Sequence, residues 1–290
     1  MIGSLVRESA RAWLASGRDA IVVEVIGARG SVPRGTGTRM LVDATTTLGT
    51  IGGGHLELKA ILAARAMLAR GERARREDRH ALGPGLGQCC GGAVTLALAS
   101  LDAEALADWP PSEPLFSLQL HGAGHVGRAI ATLLATLEVH VDWFDERDEE
   151  FPPTTDLGSP WPVHIQRIGG DTIEREVRRA PPGAFYLVLT HEHALDLRIV
   201  EAILRRGDAA FCGLIGSRTK RARFVHRLAE RGVGDDAIAR LTCPIGIDGI
   251  EVKSPEVIAA AVVAQLLQRQ GALADAASPE AARAQTGDRR

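Results

Sequence analysis

Aromatic residues are scarce, 4% of the 290 positions with a single tyrosine, so the cores must be built from Ala, Leu, Val and Ile. Those are the materials of doubly wound sheets covered by helices. Excess charge of either sign is also missing. A formal net charge of −2 gives no field to draw the chain onto nucleic acid or an anionic membrane, which excludes both as expected partners. No apolar run in the sequence reads as approaching the roughly 20 residues that span a bilayer. The N-terminal MIGSLVRESARAWLASG interrupts its apolar positions with charges and lacks a signal-peptide core. Cysteines number four, Cys89, Cys90, Cys212 and Cys243, and without a secretion signal they read as reduced thiols of a cytoplasmic protein.

What is present is a hydrophobic content of 45%, enough for two domains of roughly 100 to 170 residues. A helix ending at Gly17 precedes the strand AIVVEVIG. A Gly/Pro-rich loop, ARGSVPRGTGTR, then feeds a short strand, and LGTIGGGHLE turns into a helix over about 56–70. A further glycine-rich loop, LGPGLGQCCGG, leads into the strand AVTLALAS. Pro110, Pro111, Ser112 and Pro114 mark a linker. Beyond it strands and helices alternate: LFSLQL, helix 125–137, VHVDWF, VHIQRI, helix 172–179, AFYLVLT, helix 195–206, AFCGLI, helix 219–232. That order predicts a parallel sheet wrapped on both faces. The fold class is thus α/β, with an N-terminal α/β domain over 1–111 and a Rossmann-type doubly wound domain over 115–270. A last helix over 255–270 packs back on the core, and a disordered tail over 271–290 has little to bury.

The strand LFSLQL runs into His121-Gly-Ala-Gly-His-Val-Gly127, a helix follows, and Asp145 closes the next strand. In that setting Gly122 permits the tight turn, Gly124 lets a phosphate approach the backbone, and Gly127 packs helix on strand. The free N–H groups of the helix start face the anion. Asp145 is placed to accept hydrogen bonds from a ribose or other polyol. The same glycines could serve the turn alone. Loops at the carboxyl ends of later strands share the crevice: Thr190 to Asp196 with His191 and His193, and the segment carrying Arg218 and Lys220. His191, His193 and Asp196 could chelate a metal, although a polar pocket wall or a helix cap by Asp196 is the more ordinary reading. Arg218 and Lys220, at a helix start, could hold a second anion, or Arg218 could simply be solvated.

Cys89 and Cys90 are adjacent and flanked by Gly87, Gly91 and Gly92, which lets a ligand reach the thiols closely. A thiolate suits a transition metal, a persulfide or redox exchange; small buried hydrophobes are the alternative. GSVPRGTGTR and TIGGGHLE offer further amides, with Arg34, Arg39 and His55 as donors. Cys212, inside AFCGLI, reads as core.

In combination, GSVPRGTGTRMLVD, GTIGGGHLE, LGPGLGQCCGG, HGAGHVGRA, VLTHEHALDL, GLIGSRTKRARF and SPEVIAAAVVAQLL resemble the XdhC/CoxI maturation proteins of molybdenum hydroxylases. The likeness runs to about residue 270 and is greatest to the xanthine dehydrogenase branch, because GGGHLE carries His55 where the carbon monoxide dehydrogenase branch tends to have Cys. It implies a chaperone and not a conventional catalyst. Such proteins bind molybdenum cofactor (molybdopterin), protect it while a cysteine desulfurase installs its terminal sulfur, and pass it to apo xanthine dehydrogenase; a homodimer is plausible by the same likeness. Cys89 and Cys90 then become possible ligands of the cofactor molybdenum. The competing enzyme readings are an NAD(P)-dependent oxidoreductase with His191 or His193 as acid or base, and a metal-dependent hydrolase.

Overall fold

The computed structural model describes residues 3–82, 92–111, 113–170 and 173–277, in two units, Met1–Glu113 and Pro114–Arg290. The first unit runs α1 (Gly3–Ala15), β1 (Ile21–Arg29), β2 (Arg39–Val42), β3 (Thr47–Gly49), α2 (Gly54–Arg70), β4 (Arg76–Ala81), β5 (Ala93–Ser100) and α3 (Ala103–Ala107). Its strands pair in the order β3-β2-β1-β5-β4, every neighbour antiparallel. Alternation along β1 explains the layers. Ile21, Val23 and Val25 face Leu56, Ala60 and Met67 of α2, whereas Val22 faces Val6 and Ala10 of α1 with Trp109. This unit is thus the N-terminal α/β domain expected from the sequence, with its sheet antiparallel. β4, with the sequence REDRHA, was invisible to apolar periodicity because it is a charged edge strand, held by its ladder to β5.

The second unit runs β6 (Ser117–His121), α4 (His125–Leu134), β7 (His140–Asp145), a 3-10 turn (Asp148–Glu150), β8 (Ile165–Gly169), α5 (Ile173–Arg179), β9 (Phe185–Val188) and α6 (His193–Arg206). β10 (Phe211–Leu214), α7 (Arg218–Glu230), α8 (Asp235–Ala239), β11 (Leu241–Thr242) and α9 (Pro255–Ala277) complete it. The strand order is β11-β10-β9-β6-β7-β8, all parallel. The chain therefore winds one way through β6, β7 and β8, then returns to β9 on the other side of β6. That reversal between β6 and β9 is the topological switch point of a Rossmann sheet. One face packs Leu118, Leu120, Phe185 and Leu187 against Ile130 and Leu134 of α4 and Val262 and Leu266 of α9. The other packs Tyr186, Val188, Cys212 and Leu214 against α6 and α7. Burying each such side chain is worth about 1.5–3 kcal/mol, which is why the strands read as continuous apolar runs.

Two expectations about the C-terminus change. α9 extends to Ala277, so the first part of the expected disordered tail is helical, and residues 278–290 lie outside the described residues. By length and composition the stretch Pro255–Ala276 is also apolar enough to cross a membrane, contrary to the sequence reading. Its Ala259, Val262 and Leu266 are nevertheless buried in the core that it shares with α4. Gln265 ties α9 to the loop after β11: its Oε1 accepts from the Gly246 N–H at 2.9 Å, and its Nε2 donates to the Gly246 carbonyl at 3.0 Å.

Candidate functional site

The glycine turn at the switch point is built by three glycines with three different reasons. Gly122 has φ +121°, donates its N–H to the Phe144 carbonyl at 2.7 Å, and a β-carbon there would lie 2.3 Å from the Leu189 carbonyl oxygen. A β-carbon at Gly127 would lie 2.1 Å from the Gly122 oxygen, so this glycine seats α4 on β6. Gly124 is different. It is the N-cap of α4 without a side-chain cap, and a β-carbon there meets nothing within 4 Å. The chain itself does not require that glycine for space; it leaves an opening at the head of α4, where first-turn amides without intrahelical acceptors and the helix dipole favour an anion.

Asp145, at the end of β7, is 5% exposed and already engaged. Its Oδ2 accepts from the Ala123 N–H at 2.7 Å, and its Oδ1 accepts from the Arg147 N–H and Nε, both at 3.0 Å. Burial by itself would raise this carboxyl, but the Arg147 guanidinium and the two amides outweigh it and hold it below the ordinary carboxylate value. Arg147 also donates to Glu150, and Arg128 joins Glu150 at 2.6 Å to the Ala123 carbonyl at 2.9 Å. A ligand hydroxyl at Asp145 would have to share or displace Arg147.

On the other side of the switch point, the carboxyl ends of β9 and β10 open into a crevice of about 1050 Å³, lined among others by His191, His193, Lys220, Arg223 and Arg227. Asp196 does not share a face with the histidines. It is fully buried, its Oδ1 accepts from the Thr190 N–H at 3.0 Å and hydroxyl at 2.8 Å, and its Oδ2 meets the Lys220 ammonium at 2.7 Å. Among the described residues no group of three or more His, Cys, Asp or Glu could hold a metal ion. Arg218 is exposed at the start of α7 and is not part of the crevice wall; Ser217 caps that helix by accepting from the Lys220 N–H at 3.2 Å. The sequence reading missed the Asp196–Lys220 pair and the roles of Arg223 and Arg227. Their i, i+3, i+7 spacing with Lys220 was the available signal.

In the first unit Arg34 and His55 are exposed. The amides of TIGGGHLE, which the sequence offered to an outside anion, are filled from within. The Glu57 carboxylate accepts from the Ile51 and Gly53 N–H groups, both at 3.0 Å, and from the Thr50 hydroxyl at 2.5 Å. A β-carbon at Gly52 would lie 2.5 Å from the Pro33 ring, and one at Gly92 would lie 2.3 Å from the Ser31 carbonyl oxygen. The Leu82 N–H donates to the Gly92 carbonyl at 2.7 Å, closing the foot of the segment 83–91. The foot of the cysteine loop, the Arg34 segment and the glycine triplet therefore converge at one end of this sheet. Cys89 and Cys90 themselves lie outside the described residues. Cys212 is core, its thiol pushed up to about 12 by burial.

These features define a class: an antiparallel α/β domain followed by a Rossmann-type domain with an open glycine turn. Residues 118–266 match the XdhC Rossmann domain and residues 13–78 match the XdhC and CoxI family, and the chain belongs to that family. The uncharacterized protein YqeB of Escherichia coli K12 is 32% identical over 263 residues, 85% of this chain and 43% of YqeB, so the chain spans less than half of that relative. A crystal structure from Bacillus halodurans, of a protein named a xanthine dehydrogenase, has a TM-score of 0.73. It covers 96% of this chain and 98% of that one at 20% identity, a likeness of fold.

Proposed function

We propose that this chain carries the molybdenum cofactor as cargo, shields it while a cysteine desulfurase supplies the terminal sulfur, and hands it to apo xanthine dehydrogenase. The observation that carries the reading is at Gly124, where a β-carbon would meet nothing within 4 Å at the uncapped head of α4, a place whose free amides and helix dipole favour a phosphate such as molybdopterin bears. Gly122 and Gly127 shape the turn, and Asp145 holds its Ala123 amide in place. Cys89 and Cys90 are assigned the molybdenum or its incoming sulfur, since soft thiolates suit both. Arg34 and His55, beside the foot of that cysteine loop, and His191, His193 and Arg218 at the carboxyl side of the second sheet complete the proposed contacts. The carrier works in the cytoplasm, as a homodimer, a state for which the exposed Leu58 and Leu62 of α2 offer an apolar face.

Mass spectrometry of the ligand released from protein made in a cofactor-competent host tests the reading, and molybdopterin or its cytosine dinucleotide is the expected result. Recovery of NAD(P) instead would replace the carrier by an oxidoreductase. The variant Gly124→Val, whose β-carbon meets nothing within 4 Å, is expected to stay folded and to release no cofactor. Cys89→Ser with Cys90→Ser is expected to lower cofactor retention and reconstitution of apo xanthine dehydrogenase together.

A further inference from the structure

Lys220, Arg223 and Arg227 sit at i, i+3 and i+7 on α7, one stripe of the helix, and all three line the 1050 Å³ crevice. Their charges are not treated alike. Lys220 is balanced by the buried Asp196 at 2.7 Å, which is itself fixed by Thr190. The guanidinium groups of Arg223 and Arg227, both exposed, have no carboxylate within 4.0 Å and no side-chain hydrogen bond to the chain among the described residues. Elsewhere in the same unit Arg128, Arg147, Arg205, Arg206 and Arg231 are each paired with an acid. Two like charges at i and i+4 cost a helix about 0.2–0.5 kcal/mol. The acid on this wall, Glu230, lies at the far end against His226 at 3.5 Å. His191, in the loop after β9, and His193, the first residue of α6, line the same crevice. The wall is thus short of negative charge, in a crevice whose volume suits a ligand of nucleotide size.

We propose that this crevice is a second anion site, in which Arg223 and Arg227, with Lys220 held ready by Asp196, clamp a phosphoryl-bearing ligand such as a diphosphate. The inference uses none of the glycine turn and shares only His191 and His193 with the carrier reading. Planar guanidinium groups one helical turn apart match adjacent phosphoryl groups, each by a forked pair of hydrogen bonds. A free nucleotide and the dinucleotide end of a larger cofactor share that chemistry.

Titration calorimetry of the full chain with inorganic pyrophosphate, and separately with ADP, tests the proposal. Pyrophosphate is expected to bind, more weakly as salt rises, and Arg223→Ala with Arg227→Ala is expected to weaken it by about tenfold or more. Both positions are exposed and unpaired, so the double variant should unfold at the parent's temperature or slightly above. Measured in the Gly124→Val background, where the glycine turn no longer seats a phosphate, the pyrophosphate binding that remains should still be weakened by Arg223→Ala with Arg227→Ala. ADP binding more tightly than pyrophosphate supports a nucleotide whose base adds contacts in the crevice, and equal affinity supports recognition of the phosphoryl end alone, as a dinucleotide cofactor would present it. Absence of pyrophosphate binding, equal binding by the double variant, or loss in Gly124→Val without loss in the double variant would each overturn the proposal.

Discussion

A β-carbon at Gly127 would collide with the Gly122 oxygen at 2.1 Å, whereas one at Gly124 would touch nothing within 4 Å. Denaturant unfolding should therefore separate two changes that look alike in sequence. Gly127→Ala is expected to cost about 1–3 kcal/mol through overpacking, and Gly124→Ala less than about 0.5 kcal/mol. The motif as a whole was legible from its setting between a strand and a helix. The contacts that enforce it were not, because Leu189 comes to the turn only through the sheet. His121 gives a second residue-scale test. It is fully buried, stacks on Phe144 at 5.0 Å, and has no hydrogen-bond partner for either ring nitrogen among the described residues. Burial pushes its imidazole down from 6.5 to about 3. The folded chain thus keeps it neutral where the unfolded chain takes up a proton, so stability falls as pH drops from 6.5 toward 3. His121→Phe keeps the aromatic stack and removes the proton. At about pH 5 it should gain about 2 kcal/mol over the parent relative to the difference at neutral pH, read by unfolding at both.

At the level of elements, β9, α6 and α7 are joined by one buried ion pair. Asp196→Asn leaves the largely buried Lys220 ammonium without its counter-charge and should cost about 3 kcal/mol. Combining it with Lys220→Met should return much of that loss, since no charge is then stranded; the comparison is a double-mutant cycle in denaturant. Neither residue announced the other, since the partners belong to different helices and meet only after β9 and β10 pair. The parallel strands of the second unit were legible because burial on both faces turns AFYLVLT and AFCGLI into unbroken apolar runs. β4 was not, since a charged edge strand has no such signature and depends on its ladder to β5. The glycine loop before α2 was legible as a turn but not as an anion seat already taken, because Glu57 reaches back from the helix that the loop starts.

For the whole molecule, the segment between the buried Trp109 and Phe116 is the natural place for a break. Its described residues are exposed and rich in proline. Limited proteolysis is expected to cut within 110–115 and to release two fragments that each keep cooperative unfolding; cutting elsewhere first would show that the units are not separable. The alternation of strand and helix made the second unit's architecture readable at this scale. The far reach of α9 was not readable, because Gly271 reads as a stop and the helix runs through it. Gln265 holds both the N–H and the carbonyl of Gly246, as a neighbouring strand would. The amide hydrogen of Gly246 is therefore expected to trade with solvent deuterium only when the Gln265 side chain lets go of it, which makes one backbone proton in a loop a reporter on the seat of a long helix. Gln265→Ala should silence that reporter, with Gly246 exchanging at once while the amide of Leu187, deep in the sheet, stays protected.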